Sequence, residues 1–238
     1  MSRMIVLSMA LLVLAVAVAC AGNDEDDLLE TDAFQLPWTG DEAWFFVGGP
    51  HCDSAAGVCP GSAARYALDF APRAPLTGFL CDPSENDDYW VTAAAGGVVR
   101  IAGRSLVEVE HDEGIRTGYY HLRSSSLAVT PGDIVEAGAP LGNPSCEHRR
   151  GGTVPGPHVH FYFCMTNDPS AACLDSRASL LAAEGRTLSG WRIQMAGENY
   201  SGNLVRGDET RTATPLSCSG ANPDAECGGR RNDVSLMP

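Results

Sequence analysis

From Phe34 to about residue 165 the apolar residues come in short runs, each closed by turn formers. "YWVTAAAGGVVRIAG" breaks at Gly96-Gly97, "DEGI" separates "SLVEVEH" from "RTGYYHL", and "VTPGDIVEAGAPLG" carries Pro131-Gly132 and Gly138. Runs of this length and composition read as strands joined by tight turns. In "SLVEVEH" the period of two puts Val107, Val109 and His111 on one face. The expectation is an all-β fold of antiparallel meanders. Residues 187 to 205 are expected to return as strands around "WRIQM". One short helix is expected in "DSRASLLAAEGR", with Asp175 as N-cap and Gly185 as stop.

The first residues, "MSRMIVLSMALLVLAVAVAC", hold one basic residue, Arg3, then an apolar run from Met4 to Ala19 and small residues. That pattern reads as a signal peptide over 1–19. "AVAC" resembles a lipoprotein box with Cys20 as the lipidated first mature residue, although Ala17 stands where leucine is preferred. Ala17-Val18-Ala19 also suits an ordinary signal peptidase. Residues 20–33 are acidic and poor in apolar side chains, the composition of a solvated tether. A folded domain is expected over 34–205 and a polar C-terminal extension over 206–238. The expected location is outside the cytoplasm, lipid-anchored on an outer surface or in a periplasm, or else secreted.

Nine cysteines fit that destination. With Cys20 set aside, the other eight form an even set expected in disulfides: Cys52, Cys59, Cys81, Cys146, Cys164, Cys173, Cys218 and Cys227. The close pairs 52–59, 164–173 and 218–227 suggest themselves, with 81–146 as the remainder, though spacing alone leaves the pairing open. No C-x-x-C pair is present to suggest a thiolate zinc site. The net charge is −14 and all 16 basic residues are arginine. Phosphate is repelled from such a surface, so no nucleic-acid partner is expected. Contact with a membrane is expected only through a lipid on Cys20, and the chain is expected to act as a monomer.

Two of the six histidines stand one residue apart in "GPHVHFYFC". On a strand, His158, His160 and Tyr162 share one face, while Val159, Phe161 and Phe163 turn to the other. Positions i and i+2 lie roughly 6.5–7 Å apart. That spacing suits one histidine holding a metal and its neighbour reaching a water beside it. It also suits two plain exposed positions. A catalytic zinc takes three protein ligands and keeps one position open. His51 in "GGPH", Asp69 in the apolar run "YALDF" and His121 in "TGYYHL" are candidates to complete the site. Asp69 between Leu68 and Phe70 would be costly to bury without a cation. His111 reads as a core-face or supporting histidine, and His148 in "CEHRRGG" as a loop residue.

The segments "QLPW", "GGPH", "YALDF", "VTAAAGGVV", "VEVEHDEGIRTGYYHL", "VTPGDIVEAGAPLG" and "GPHVHF" lie in this order over residues 34 to 165. In that order the chain resembles the lysostaphin-type (LytM-like) zinc endopeptidases, and within them the staphylolysin and β-lytic metalloendopeptidase branch. The resemblance implies a barrel-like antiparallel sheet, a barrel-sandwich hybrid, with a metal-binding groove; the polar C-terminal extension, which holds Cys218 and Cys227, reads from its own residues as disulfide-stapled. It implies one Zn2+ per chain held by His51, Asp69 and His160. It makes His158 the general base on the attacking water and His121 a group that stabilises or protonates the tetrahedral intermediate. Tyr120 is implied as oxyanion support, although strand alternation should point it away from His121. In much of the wider family the first ligand stands four residues before the aspartate. Here that residue is Arg65, and the branch's upstream histidine corresponds to His51. The implied activity is hydrolysis of peptide bonds in peptidoglycan stems or cross-links. Alternatives are a catalytically inactive relative that binds cell wall or regulates another hydrolase, and a plain binding module on the same scaffold.

Overall fold

The computed structural model of the chain describes residues 34–40, 43–52, 65–72, 88–175, 180–214 and 233–234. The signal segment 1–19, Cys20, the acidic residues to 33, Cys59, Cys81, Cys218 and Cys227 lie outside them. The strands are β1 (Trp44–His51), β2 (Ala67–Pro72), β3 (Val91–Thr92), β4 (Gly97–Gly103), β5 (Leu106–Glu110), β6 (Ile115–Tyr120), β7 (Ile134–Val135), β8 (Pro140–Gly142), β9 (Ser145–Glu147), β10 (Thr153–Met165), β11 (Leu180–Leu181), β12 (Thr187–Leu188), β13 (Trp191–Met195), β14 (Gly202–Arg206), β15 (Glu209–Thr212) and β16 (Asp233–Val234). The all-β expectation holds.

The large sheet runs β16-β1-β2-β10-β6-β5-β4-β7, and β9 and β11 also pair with β10. The path has two ends, so the expected barrel is an open sheet rather than a closed one. A second sheet, β12-β13-β14-β15, packs against β1, and β3 and β8 form a separate pair. Every residue of β1 is buried because it is covered on both faces. Trp44 and Phe46 enter the main core with Trp38 and Phe70, whereas Phe45 and Val47 form a small cluster with Ala71. The alternation read in "HVHFYF" is real. Val159, Phe161 and Phe163 are core residues, and Tyr162 belongs to a second cluster with Tyr66 and Tyr120.

The expected helix at 175–185 is not found among the described residues. Cys173–Asp175 is one turn of 3-10 helix, and Leu180–Leu181 adds a strand beside Phe163 and Cys164 of β10. The free side of β10 needs backbone partners, and Leu181 packs on the core; together these outweigh local helix propensity. Gly185 takes φ 82° in the following turn. Cys164 and Cys173 are joined by a disulfide, as their spacing suggested. Cys52 and Cys146 are also disulfide-bonded. The boundary drawn at 205/206 falls inside the β14–β15 hairpin, where Arg206 pairs with Glu209.

Two buried polar networks brace the sheet. Glu108 and Arg116 are fully buried on the face opposite Val107 and Val109. Glu108 accepts hydrogen bonds from the Tyr162 hydroxyl (2.6 Å) and the Cys173 N–H (2.8 Å). Arg116 reaches Glu108 (3.4 Å), Glu110 (3.0 Å) and the Ala171 carbonyl (3.1 Å), which anchors the loop after β10.

The second network centres on His111. Its Nδ1–H donates to the Gly96 carbonyl (2.8 Å), so Nε2 accepts from the Thr117 hydroxyl (2.8 Å). Thr117 is bonded to the Tyr119 hydroxyl (2.7 Å), which accepts the Ala94 N–H (2.7 Å). The Ala94 amide can only donate, and with Tyr119 donating on to Thr117 and Thr117 to His111 every hydroxyl proton in the network has an acceptor when His111 is neutral. Burial pushes the His111 pKa below its ordinary 6.5, against the pull of Asp112 and Glu110. A depressed histidine contributes stability that is complete above pH 6.5 and is lost as pH falls through the folded value. Thermal unfolding of the wild type should therefore lose more stability between pH 7 and pH 5 than that of His111→Gln. Parallel losses would contradict the assignment.

Candidate metal centre and active groove

Four adjacent strands carry the site. Asp69 of β2 lies directly opposite His160 of β10, and His160 lies opposite Tyr120 of β6. Directly paired residues project from the same face. On the other side Asp69 is paired with Gly48 of β1. From there the register changes: Gly48 to His51 spans three residues, while the partners Asp69 to Ala67 span two. The extra residue is a β-bulge, and it returns His51 to the face that carries Asp69. Gly48 is required beside it. A Cβ at that position would stand 2.6 Å from Asp69 Oδ2.

The three implied ligands come together. His51 Nε2 is 3.2 Å from His160 Nδ1 and 3.4 Å from Asp69 Oδ2, and His160 Nδ1 is 3.2 Å from Asp69 Oδ1. All three residues are buried. His51 Nδ1–H donates to the Gly49 carbonyl (2.9 Å), which leaves Nε2 with its lone pair facing the other two. Asp69 Oδ1 is buried without a hydrogen bond. A tetrahedral zinc with bonds of about 2.0–2.1 Å places its ligand atoms about 3.3 Å apart. The observed separations and the orphaned carboxylate oxygen fit such an ion. Among the described residues the cluster holds three ligands, which leaves the fourth position open.

The electrostatics agree. Burial lowers the His51 pKa to about 4, with the attraction of Asp69 opposing it only in part. Burial would raise the Asp69 carboxyl, but attraction to His51 and His158 outweighs it and holds the group below the usual carboxylate range. The site therefore presents neutral imidazole and ionised carboxylate, the forms that bind a metal.

His158 and His121 face this cluster. His158 Nδ1–H donates to the Gly156 carbonyl (3.0 Å), so Nε2 is the basic nitrogen; it lies 3.9 Å from Asp69 Oδ1. His121 Nδ1–H donates to the Glu147 carbonyl (2.8 Å), and its ring centre is 4.8 Å from that of His158. Burial pushes His121 well below its ordinary pKa, and repulsion from His158 and His160 adds to this. The expectation that Tyr120 points away from His121 is corrected. The two rings stack at 4.0 Å and 24°. β6 ends at Tyr120, and His121 takes the left-handed φ of 66°, which breaks the alternation. A non-glycine residue in that region is uncommon and strained, and such strain collects at functional sites. The Tyr120 hydroxyl accepts the Arg149 N–H (3.0 Å).

Three features had no signal in the sequence. Tyr200, in the turn between β13 and β14, stacks on His51 at 4.0 Å and 19°, and its carbonyl accepts the Gly49 N–H (2.9 Å). Arg65 braces the same turn, donating to the carbonyls of Gly197 and Glu198 at 2.7 Å each. The residue that stands at the wider family's ligand position thus supports the wall that covers His51. His148, read as a loop residue, places its ring 6.0 Å from His121 and 5.5 Å from Tyr120.

Residues 79–171 match the family model described as Peptidase family M23. That stretch includes His121, His158 and His160 but begins after His51 and Asp69. Protease LasA of Pseudomonas aeruginosa is 27% identical over 180 residues, which covers 74% of this chain and 37% of that protein. The β-lytic metalloendopeptidase of Achromobacter lyticus is 28% identical, covering 72% of this chain and 41% of its own. The enzyme of that name from Lysobacter enzymogenes is 28% identical, covering 72% and 85%. The chain thus spans about two-fifths of the length of the first two. Among solved structures, the M23 metalloprotease pseudoalterin superposes with a TM-score of 0.58 at 26% identity, over 76% of this chain and 95% of its own.

Gly48→Ala tests the geometry. The added methyl would displace the Asp69 carboxylate, so the variant should fold with its disulfides yet bind zinc at least tenfold more weakly by competitive chelation. Unchanged zinc affinity would show that Asp69 is not held against β1 as described.

Proposed function

We propose that this chain, which carries a Peptidase family M23 domain, is a zinc-dependent endopeptidase that hydrolyses peptide bonds of peptidoglycan, in stems or cross-links. The observation that carries this reading is the cluster of His51, Asp69 and His160, with separations of 3.2–3.4 Å, beside two further histidines whose basic nitrogens are oriented by backbone carbonyls. The names of the relatives, protease and metalloendopeptidase, point the same way. The Cys164–Cys173 disulfide fits an exported protein. Export as a lipoprotein on Cys20 or in secreted form belongs to the same proposal.

His51, Asp69 and His160 would hold the zinc. When bound, the ion polarises the scissile carbonyl and makes the attacking water more acidic. The remaining work falls to the chain's own residues. His158 Nε2 is the lone pair that accepts the water's proton, and the Gly156 carbonyl keeps the ring in the tautomer that has it. His121 sits against it with Nδ1 committed to Glu147, so its Nε2 also accepts when neutral. The leaving amine receives the proton that His158 took from the water, and His121, beside His158 and of low proton affinity, suits a relay that holds that proton only in passing. The stack with Tyr120 holds the His121 ring on the groove side of the strained turn. Tyr200 covers the outer face of His51 and excludes water from it.

His158→Ala should keep one zinc per chain and lose about 10²–10⁴-fold in the rate of new amine release from purified peptidoglycan. Full activity in that variant would sink the proton-transfer role. A wild-type protein that binds zinc yet releases no amines would instead favour a wall-binding or regulatory relative.

A further inference from the structure

The tip of the β9–β10 hairpin is built against His121 and Tyr120. The Glu147 carbonyl holds His121 Nδ1–H, and the Arg149 N–H donates to the Tyr120 hydroxyl. Between these anchors lies His148, its ring over both residues. Its Nδ1 accepts the Arg150 N–H (3.3 Å), so a neutral His148 carries its proton on Nε2 and is a donor. The turn closes with the Gly151 N–H on the His148 carbonyl (2.8 Å).

The charges at this tip are unevenly matched. Arg149 is paired with Asp175 at 2.7 Å. The Glu147 carboxylate is turned to Ser124, accepting its N–H (3.0 Å) and hydroxyl (2.6 Å). Arg150 is exposed, and among the described residues no acidic group pairs with its guanidinium. An unneutralised arginine beside a histidine donor stands out in a chain of net charge −14, whose field repels anions elsewhere.

We propose that His148 and Arg150 form a carboxylate-binding rim of the active groove, so that the favoured peptide carries a free carboxylate within a residue or two of the scissile bond. The inference deepens the hydrolase reading and rests on its groove. Guanidinium matches carboxylate in a planar, charge-assisted pair, and His148, whose ring centre is 6.0 Å from that of His121, supplies a second donor at Nε2–H. Recognition there positions the substrate; neither residue takes part in the bond change.

The test uses the full chain with its disulfides formed and the His158→Ala replacement to stop turnover. The probes are pentaglycine peptides acetylated at the N-terminus and amidated at the C-terminus, carrying Glu or Gln at each flanking position, with binding measured at fixed low salt. Glu should bind about three- to tenfold more tightly than Gln at one flank. Arg150→Gln should bring that ratio to about one, and Arg150→Lys should restore most of it. A ratio near one at every position, a preference that survives Arg150→Gln and His148→Gln together, or no binding of any peptide overturns the rim. Turnover of the same peptides by the wild type is read separately. If none is cleaved, and the wild type releases no amines from purified peptidoglycan either, while the carboxylate preference persists, the hydrolytic reading falls and the rim stands.

Discussion

The structure turns on one ionised carboxylate placed where a carboxylate should not rest alone. Asp69 lies in the buried strand β2, between Leu68 and Phe70, with one oxygen lacking any hydrogen bond. Desolvation of such a group costs several kcal/mol unless positive charge answers it. Three histidine nitrogens converge within 3.9 Å of its oxygens, and two of them, with the carboxylate, describe the edges of a tetrahedral metal site. The bulge in β1, the glycine opposite Asp69 and the aromatic cover on His51 all serve that arrangement.

Sheet register does the positioning. His160 is flanked by Asp69 on one side and Tyr120 on the other because β10 lies between β2 and β6. A slip of one residue in either pairing would turn the histidines to the core face and Val159 and Phe161 to the groove. The apolar face of β10 therefore protects the chemistry of the opposite face: burying Phe161 and Phe163 in the core locks the ligands in place.

Much of this was readable before any coordinates. The period of two in "HVHFYF" separated the metal-facing from the core-facing side chains, since alternation is a property of the strand itself. The isolated acid in "YALDF" was marked by the cost of burying it. What escaped the sequence depends on breaks in regularity or on distant partners. His121 stacks on Tyr120 because of one left-handed residue, which no pattern around "GYYHL" announces. The segment after Asp175 looks helical by composition, yet Leu180 and Leu181 join β10, because a strand edge asks for backbone partners that composition does not record. His148 and Tyr200 reach the groove from a hairpin tip and from the second sheet, through contacts far apart in sequence.

The most direct measurement is a crystal structure of the chain with equimolar zinc, with anomalous data collected on either side of the zinc edge. One peak is expected within about 2.0–2.1 Å of His51 Nε2, His160 Nδ1 and an oxygen of Asp69, with no fourth protein ligand. A peak elsewhere, a site lacking His51, or no ordered zinc at all would contradict the account.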